Sequence, residues 1–414
     1  MNILIVSQYF WPEGFLINDL AVGLREKGHQ VTVLTGIPNY PAGRFFKGYS
    51  LFGPLQQDYH GVNVLRVPLI PRGRGGGIRL AINFLSFALS SLLAAPFLKL
   101  SQIDGILVFQ LSPVTVGLPA ILLKKIASAP IAFWVQDLWP ESLSATGAVR
   151  NRQILAAVAR LVRFIYRRCD LILMQSKAFA ESIVALGGEQ QRLRYLPNYA
   201  QPLFSSFPSA GAVPPQLVEL PSGFRVMFAG NIGAAQGFAT ILGAAELLKG
   251  HEDIHWIILG DGRKRSWVEE QVSQRGLGAS VHLLGRHPLE TMPWYFAQAD
   301  VMLVTLNREP IFALTIPSKV QAYLACGKPI VGSIEGEGAR IIREAGAGLT
   351  PAAESAEELA GAVLAMYRMG AEERQAMGER GREYFAAHFE RNMLIDRLCD
   401  WFEELHGTTA GRGR

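Results

Sequence analysis

Short apolar runs, each followed by a stretch of helical length, recur along most of this 414-residue chain. The first series reads NILIVSQYF, HQVTVLTG, VNVLRVPLI, GILVFQ, IAFWVQD and LILMQS. Runs of this length, separated by helix-sized segments such as NDLAVGLREKG, predict strands buried on both faces and therefore a parallel sheet. A second series reads RVMFAG, IHWIILGDG, SVHLLG, VMLVTL and PIVGS, with GFATILGAAELLKG, SWVEEQVSQRG, ETMPWYFAQAD and PSKVQAYLACG as the helices between. Two long helical patterns follow, around 357–369 and 373–404, and the closing HGTTAGRGR is expected to be disordered. Between the two series, residues 197–222 turn rich in proline, serine and alanine and read as a linker. The length supports two separate cores. The expected division is 1–200, a linker over 201–222, a second domain over 223–390 and a terminal segment over 391–414.

With 49% hydrophobic and 18% charged residues, the chain is globular rather than disordered. Its net charge of +5 does not by itself indicate nucleic acid; a lipid headgroup or a phosphorylated small molecule fits equally well. Cys169, Cys326 and Cys399 are far apart and odd in number, so no disulfide framework or metal spacing follows and a reducing cytosol is expected. MNILIVSQYF reads as a strand, not as a signal peptide. Residues 80–98, LAINFLSFALSSLLAAPFL, carry no charge and follow Arg72, Arg74 and Arg79, with Lys99 after them. Their length meets the threshold for a membrane span, but Asn83, Ser86, Ser90, Ser91 and Pro96 weaken it. A buried core helix and a helix on the membrane surface are the two stronger readings.

Several strand ends carry chemistry. In FAGNIGAAQGF, Gly230, Asn231 and Gly233 let backbone N–H groups approach an anion ahead of a helix; an ordinary turn is the alternative. In LTIPSKVQAYLACGKP, Thr315, Pro317, Ser318 and Lys319 open a helix, with the proline expected at an early helical position. The helix dipole disfavours a cation there, so Lys319 is either solvated or held by a bound diphosphate. LGDGRKRSW places Asp261, Gly262, Arg263, Lys264 and Arg265 after another strand, facing a phosphate or simply solvent. In the first half, Glu13 and Gly14 follow strand one, and WVQDLWPESL combines Asp137 and Glu141 with Trp134 and Trp139. Carboxylates and aromatic rings at a strand end suit sugar hydroxyls and ring faces; the alternative is that Asp137 caps its own turn and the tryptophans are core. Neither a dinucleotide G-x-G-x-x-G nor a phosphate-loop pattern occurs, and no His/Glu spacing or D-x-D suggests a metal.

The ordered set QYFWPE, GLREKGHQVTVLTGIPNYPAG, WVQDLWPESLSATG, FAGNIGAAQG, IILGDGRKR, VHLLGR and IPSKVQAYLACGKPIV resembles family 4 glycosyltransferases, and within them the bacterial group of exopolysaccharide and O-antigen assembly that includes L-fucosamine transferases. The resemblance runs from residue 1 to about 400. It implies an α/β GT-B fold: two Rossmann-like doubly wound domains facing a central cleft, with the donor in the second and a last helix crossing back to the first. It also implies a retaining, metal-independent transferase without a cofactor, using a nucleoside diphosphate sugar, UDP-linked by preference. The acceptor it implies is a lipid-linked saccharide, reached from the cytoplasmic face of the inner membrane, and no nucleic-acid partner is expected. Carried over by position, Gly230, Asn231, Gly233, Gln236, Thr315, Pro317, Ser318 and Lys319 border the donor diphosphate, Gly285 and Arg286 the base, and Asp137, Glu13 and Gly14 the transferred sugar and acceptor. The chain departs from the family twice. Leu314 and Ala322 stand where two glutamates are usual, leaving Glu335 or Glu337 as substitutes, and Gln236 stands where a lysine is common. Lys319, with Arg263 or Lys264, then supplies the charge against the leaving group. A sugar-nucleotide epimerase of the same architecture and a non-catalytic, membrane-docked binding subunit are the rival readings.

Overall fold

The computed structural model describes residues 1–73, 76–98, 102–145, 147–205 and 218–410. Arg74 and Lys99, and most of the expected linker (206–217), lie outside the described residues. The chain divides into two compact units: Met1–Pro197 together with Asn392–Arg414, and Asn198–Arg391. On either side of the undescribed stretch, Phe204 and Leu220 are buried in the core of the second unit.

The first unit is built on eight strands: β1 (Asn2–Val6), β2 (Gln30–Gly36), β3 (Gln56–Tyr59), β4 (Val62–Val67), β5 (Gly105–Gln110), β6 (Ile131–Val135), β7 (Leu171–Met174) and β8 (Leu193–Tyr195). Their order is β3-β4-β2-β1-β5-β6-β7-β8. All neighbours are parallel except β3 and β4. The central strands β5, β6 and β7 are buried along their whole length, as continuous apolar runs require. Chain order reverses between β1 and β5, which makes their carboxyl ends the switch point where open α/β sheets hold ligands. Strand β3 (QQDY) has no apolar run and pairs antiparallel at the edge, so the sequence pattern does not announce it.

The apolar segment 80–98 forms a helix, Gly77–Ala94, followed by a 3-10 turn, Ala95–Phe97, that contains Pro96. Asn83, Phe84, Phe87, Ala88 and Ser91 face the protein, whereas Ile78, Ile82, Leu85, Leu89 and Leu93 are exposed. The expectation of a buried core helix therefore holds for one face only. The long pattern expected over 373–404 is two helices, Ala371–His388 and Arg391–Ala410, parted at Phe389 and Glu390. Residues 406–410, expected to be disordered, continue the second helix, and 411–414 lie outside the described residues. That helix packs on the first unit. Phe402 is buried so closely against Gly105 that a Cβ there would meet its ring at 2.5 Å. The His29 ring lies 3.2 Å from the Cys399 thiol, and Lys27 pairs with Asp396 at 2.6 Å.

The second unit has six parallel strands: β9 (Phe224–Ala229), β10 (Ile254–Leu259), β11 (Val281–Gly285), β12 (Val301–Thr305), β13 (Ile330–Ser333) and β14 (Gly348–Leu349). Their order, β11-β10-β9-β12-β13-β14, is the doubly wound arrangement, with its switch point between β9 and β12. One core, around Met227, Ile257 and Tyr323, covers one face of the sheet; another, around Phe228, Trp256 and Val363, covers the other.

Candidate functional site

In the second unit, the loops singled out by sequence meet at the carboxyl ends of β9, β10, β11 and β12. The loop after β9 and the loop after β10 are tied together: the Ile232 amide donates to the Asp261 carbonyl at 2.9 Å, and the Lys264 amide to the Ile232 carbonyl at 3.0 Å. The Gly260 amide donates to the Gly285 carbonyl at 2.7 Å, which brings in the end of β11. After β12, the Asn307 amide donates to the Ala235 carbonyl at 2.9 Å, and the Thr305 hydroxyl to the Gln236 carbonyl at 2.5 Å. Gln236 thus closes a short 3-10 turn, Ala234–Gln236, rather than lying in the helix Phe238–Leu247.

Lys319 is the centre of this arrangement. It is the second residue of the helix Ser318–Ala325; Pro317 is the N-cap just outside the helix, not an early helical position. No side chain caps that helix start, so its first N–H groups remain available to a ligand. The Lys319 ammonium donates to the Gln236 side-chain oxygen and sits 3.7 Å from the centre of the Phe228 ring. Burial, with no carboxylate to offset it, pushes the ammonium down to about 7. Gly230 has a φ of +144°, and a Cβ there would meet Lys319 Cε at 2.6 Å. A glycine is therefore required where the β9 loop passes the lysine.

A cavity of about 340 Å³ opens beside these loops, within the size range of small-molecule sites. Gly230, Asn231, Asp261 and Arg286 line it, together with His287, Leu289 and Met292, which sequence reasoning missed. His287 is held by the Leu284 carbonyl at 3.1 Å and the Tyr295 hydroxyl at 3.1 Å. Nothing in the sequence around it would have found it, because only these two contacts, seen in the structure, turn its ring. Arg263 and Lys264 are exposed, and Lys264 stacks over Trp267 at 5.6 Å. Arg265 is paired with Glu269 at 2.8 Å and packs on Gly285. The Asp261 carboxylate accepts from the Gly262 amide at 2.7 Å within its own turn. A larger hollow of about 430 Å³, beside Asn2, Gln30 and Asn63, belongs to the first unit, at the amino ends of β1, β2 and β4.

Thr315 bonds back to the Phe312 carbonyl at 3.0 Å. The helix Gly336–Glu344 starts alongside: a Cβ on Gly338 would touch the Pro317 ring at 3.0 Å. That brings Glu337 near the Ser318 helix start, but its carboxylate is gripped by Arg340 at 2.7 and 3.0 Å. Glu335 accepts from the Ala353 amide at 3.1 Å and lies 3.6 Å from Arg308.

In the first unit, Glu13 follows β1 and is 2% exposed. One of its oxygens accepts from the backbone amides of Asn39 and Tyr40, both at 2.7 Å, which ties the loop after β2 to the loop after β1. Burial outweighs those bonds and pushes the carboxyl up to about 7. Around Gly14 there is open space. Asp137, beyond β6, accepts from the Ser142 hydroxyl and from the Trp139 indole at 3.2 Å. Burial raises its carboxyl above the usual range, with Glu141 adding to the effect. Trp134 and Trp139 are buried at 0% and 7% exposure, so neither presents a ring face to a sugar. The aromatic part of that expectation gives way to packing. Among the described residues no cluster of three or more metal-binding side chains occurs.

Comparison with known proteins agrees with this architecture. The family described as glycosyl transferases group 1 matches residues 215–384, and the glycosyl transferase 4-like domain matches residues 16–199. WcaI of Escherichia coli K12, whose name assigns it to colanic acid biosynthesis as a glycosyl transferase, is 25% identical over 79% of this chain and 82% of its own length. WbjE of Pseudomonas aeruginosa, named as a glycosyltransferase, is 32% identical over 52% of this chain and 54% of its own length. Among solved structures, sucrose-phosphate synthase of Thermosynechococcus elongatus is similar with a TM-score of 0.74 at 17% identity, covering 99% of this chain and 100% of that one. Anabaena HepE, solved in complex with UDP, gives a TM-score of 0.68 at 16% identity, covering 98% of this chain and 100% of that one. With two doubly wound sheets and both halves matched, the chain belongs to the family 4 glycosyltransferases of GT-B fold.

Proposed function

We propose that this glycosyltransferase moves a sugar from a nucleoside diphosphate, UDP by preference, to a lipid-linked glycan acceptor during cell-surface polysaccharide assembly, with retention at the anomeric carbon. The observation that carries the reading is Lys319: a largely buried ammonium with no carboxylate partner among the described residues, at an uncapped helix start, beside Gly230, whose φ of +144° suits a glycine. A diphosphate would supply the missing negative charge. HepE, solved with UDP and with UDP-glucose, supports a uridine donor by analogy of fold. In this reading Arg286 and His287, which line the 340 Å³ cavity, border the base, and the N–H groups at Ser318 and the Lys319 ammonium meet the diphosphate.

In the reaction, the bond between the anomeric carbon and the diphosphate oxygen breaks, and the electron pair leaves with the nucleotide. The acceptor oxygen bonds to the same face of that carbon, and its proton passes to the departing phosphate oxygen. Lys319 and the helix N–H groups stabilise the charge that develops on the leaving group. No metal or cofactor takes part in this scheme. Asp137 and Glu13 belong to the acceptor side, Asp137 toward the sugar hydroxyls and Glu13 through the loop it anchors. The protein works as a peripheral enzyme on the cytoplasmic face of the inner membrane. A screen of UDP- and GDP-sugars by thermal shift identifies the donor, and Lys319→Ala then tests the assignment. Turnover should fall by a hundredfold or more, on the order of 3 kcal/mol of transition-state stabilisation, in a folded protein. Unchanged turnover removes Lys319 from the reaction.

A further inference from the structure

The helix Gly77–Ala94 wears its polarity inside out. Its protein-facing side carries Asn83 and Ser91, both 0% exposed. Asn83 accepts from the Gln8 amide at 2.8 Å and donates to the Ile70 carbonyl at 2.7 Å. Its solvent side carries Ile78, Ile82, Leu85, Leu89 and Leu93, exposed by 81%, 39%, 59%, 58% and 65%. Steps of four, three, four and four residues keep these five on one narrow stripe, because 3.6 residues make a turn. Phe97, 83% exposed, follows at the next step of four, in the adjoining 3-10 turn. A water-soluble surface helix has the opposite pattern, and a run of six large apolar side chains is more than scattered exposure.

The surroundings of the stripe are basic. Arg79, exposed in the first helical turn, reaches the Pro71 carbonyl at 3.1 Å. The Gly73 amide donates to the Gly43 carbonyl at 2.9 Å, which sets exposed Arg44 beside the same end. A Cβ on Gly77 would lie 3.8 Å from the Ala148 carbonyl, so exposed Arg150 and Arg152 follow close by. From residue 44 to residue 98 the chain has six lysines and arginines and one acid, Asp58. The helix is long and apolar enough to cross a bilayer, but one side is fastened to the protein through Asn83, Phe84, Phe87 and Ser91. A spanning helix would have to give up those contacts, whereas a helix lying in the surface keeps them.

We infer that the exposed stripe of Gly77–Ala94 is the face by which the first unit lies on an anionic phospholipid monolayer, with the leucines in the acyl boundary and the arginines at its amino end among the phosphates. This deepens the peripheral-membrane reading above and rests on it. Basic residues beside an apolar helical face are the pattern of an in-plane membrane helix.

The test uses the full chain and two vesicle types, phosphatidylcholine alone and phosphatidylcholine mixed with phosphatidylglycerol. The parent should sediment with the anionic vesicles and much less with the neutral ones. Leu85→Gln with Leu89→Gln should lower the partition by about a hundredfold, roughly tenfold per leucine. Arg79→Gln should lower it about fivefold on anionic vesicles only. Leu85→Phe with Leu89→Phe should bind as the parent does, and thermal shift by UDP should be unchanged throughout. Undiminished binding by the glutamine variant overturns the stripe and leaves the peripheral reading standing. A parent that ignores both vesicle types overturns both. Equal binding to the two vesicle types overturns the anionic choice. A parent dimer that the glutamine variant splits into monomers shows that a second copy covers the stripe, and overturns the lipid.

Discussion

If a diphosphate neutralises Lys319, nucleotide binding should take up a proton. Free, the Lys319 ammonium sits at about 7 instead of the ordinary 10.5, because burial strips its water and no carboxylate replaces it. A diphosphate against it would return it toward the ordinary value. Between those two limits the free protein is mostly neutral at Lys319 and the complex is charged. Apparent affinity then falls about tenfold, or about 1.4 kcal/mol, for each pH unit above 7. From pH 7 to pH 9 the charged fraction drops from about a half to about one in a hundred, so UDP should bind roughly fiftyfold more weakly. The terminal phosphate of UDP, with its last pKa at about 6, is nearly all ionised above about pH 7.5 and adds little slope there. Titration calorimetry at several pH values, in two buffers of different ionisation heat, measures both quantities. Proton uptake near pH 8 should approach about 0.9 per nucleotide. Lys319→Met should bind UDP weakly and without slope. A parent whose affinity is flat from pH 7 to 9, or that takes up no proton, would refute the placement of Lys319 on the diphosphate. The same lowered value has a stability consequence. Between 7 and 10.5 the unfolded chain binds more protons, so the second unit should grow more stable as pH rises through that window.

Other outcomes follow from single contacts. Gly230→Ala puts a methyl group on Lys319 Cε at a φ of +144°, so the donor KM should rise at least about tenfold while the fold survives, read by steady-state kinetics beside circular dichroism. Glu13 has a raised carboxyl, so the folded state holds its proton more tightly between 4.5 and about 7, and the first unit should lose up to about 3 kcal/mol as pH rises across that span. Denaturant titrations of Glu13→Gln, which keeps an oxygen for Asn39 and Tyr40, should show that loss greatly reduced. Asp137→Asn should lower turnover by about a hundredfold with UDP affinity unchanged, since Asp137 and the 340 Å³ cavity proposed for the nucleotide belong to different units. Phe402→Ala should destabilise the first unit by about 3–5 kcal/mol in urea, because it empties the space over Gly105.

Period and punctuation carried most of the fold. GILVFQ coincides with β5 from first residue to last, and the strands read in IAFWVQD, LILMQS and VMLVTL are β6, β7 and β12. These are runs with no polar break, where burial on both faces leaves one solution. Strands β3, β8 and β14 were not legible: QQDY is polar, and the other two are three and two residues long. The break at Phe389 and Glu390 was also invisible, because no glycine or proline stands there to mark a helix end. In the site, glycine and lysine positions were readable because each needs a special backbone or an opposite charge. Trp139 was harder. Its neighbours in sequence suit a sugar site, yet the structure buries the ring and turns its N–H to Asp137. His287 was missed because nothing in SVHLLGRH separates a cavity wall from an ordinary loop; only the Tyr295 hydroxyl, eight residues away, fixes its direction.

The first unit owns two separated pieces of chain, Met1–Pro197 and Asn392–Arg414, with the whole of the second unit between them. During synthesis, then, the patch at Lys27, His29 and Gly105 stays bare until the ribosome has also made residues 198–391, because its lid carries Asp396, Cys399 and Phe402. At about 5–20 residues per second that exposure lasts on the order of 10–40 seconds. The second unit has no such wait: all its strands arrive in one contiguous stretch. The half of the enzyme translated first is therefore the half that finishes last, and chaperones that guard nascent chains have their longest task at the amino-terminal sheet.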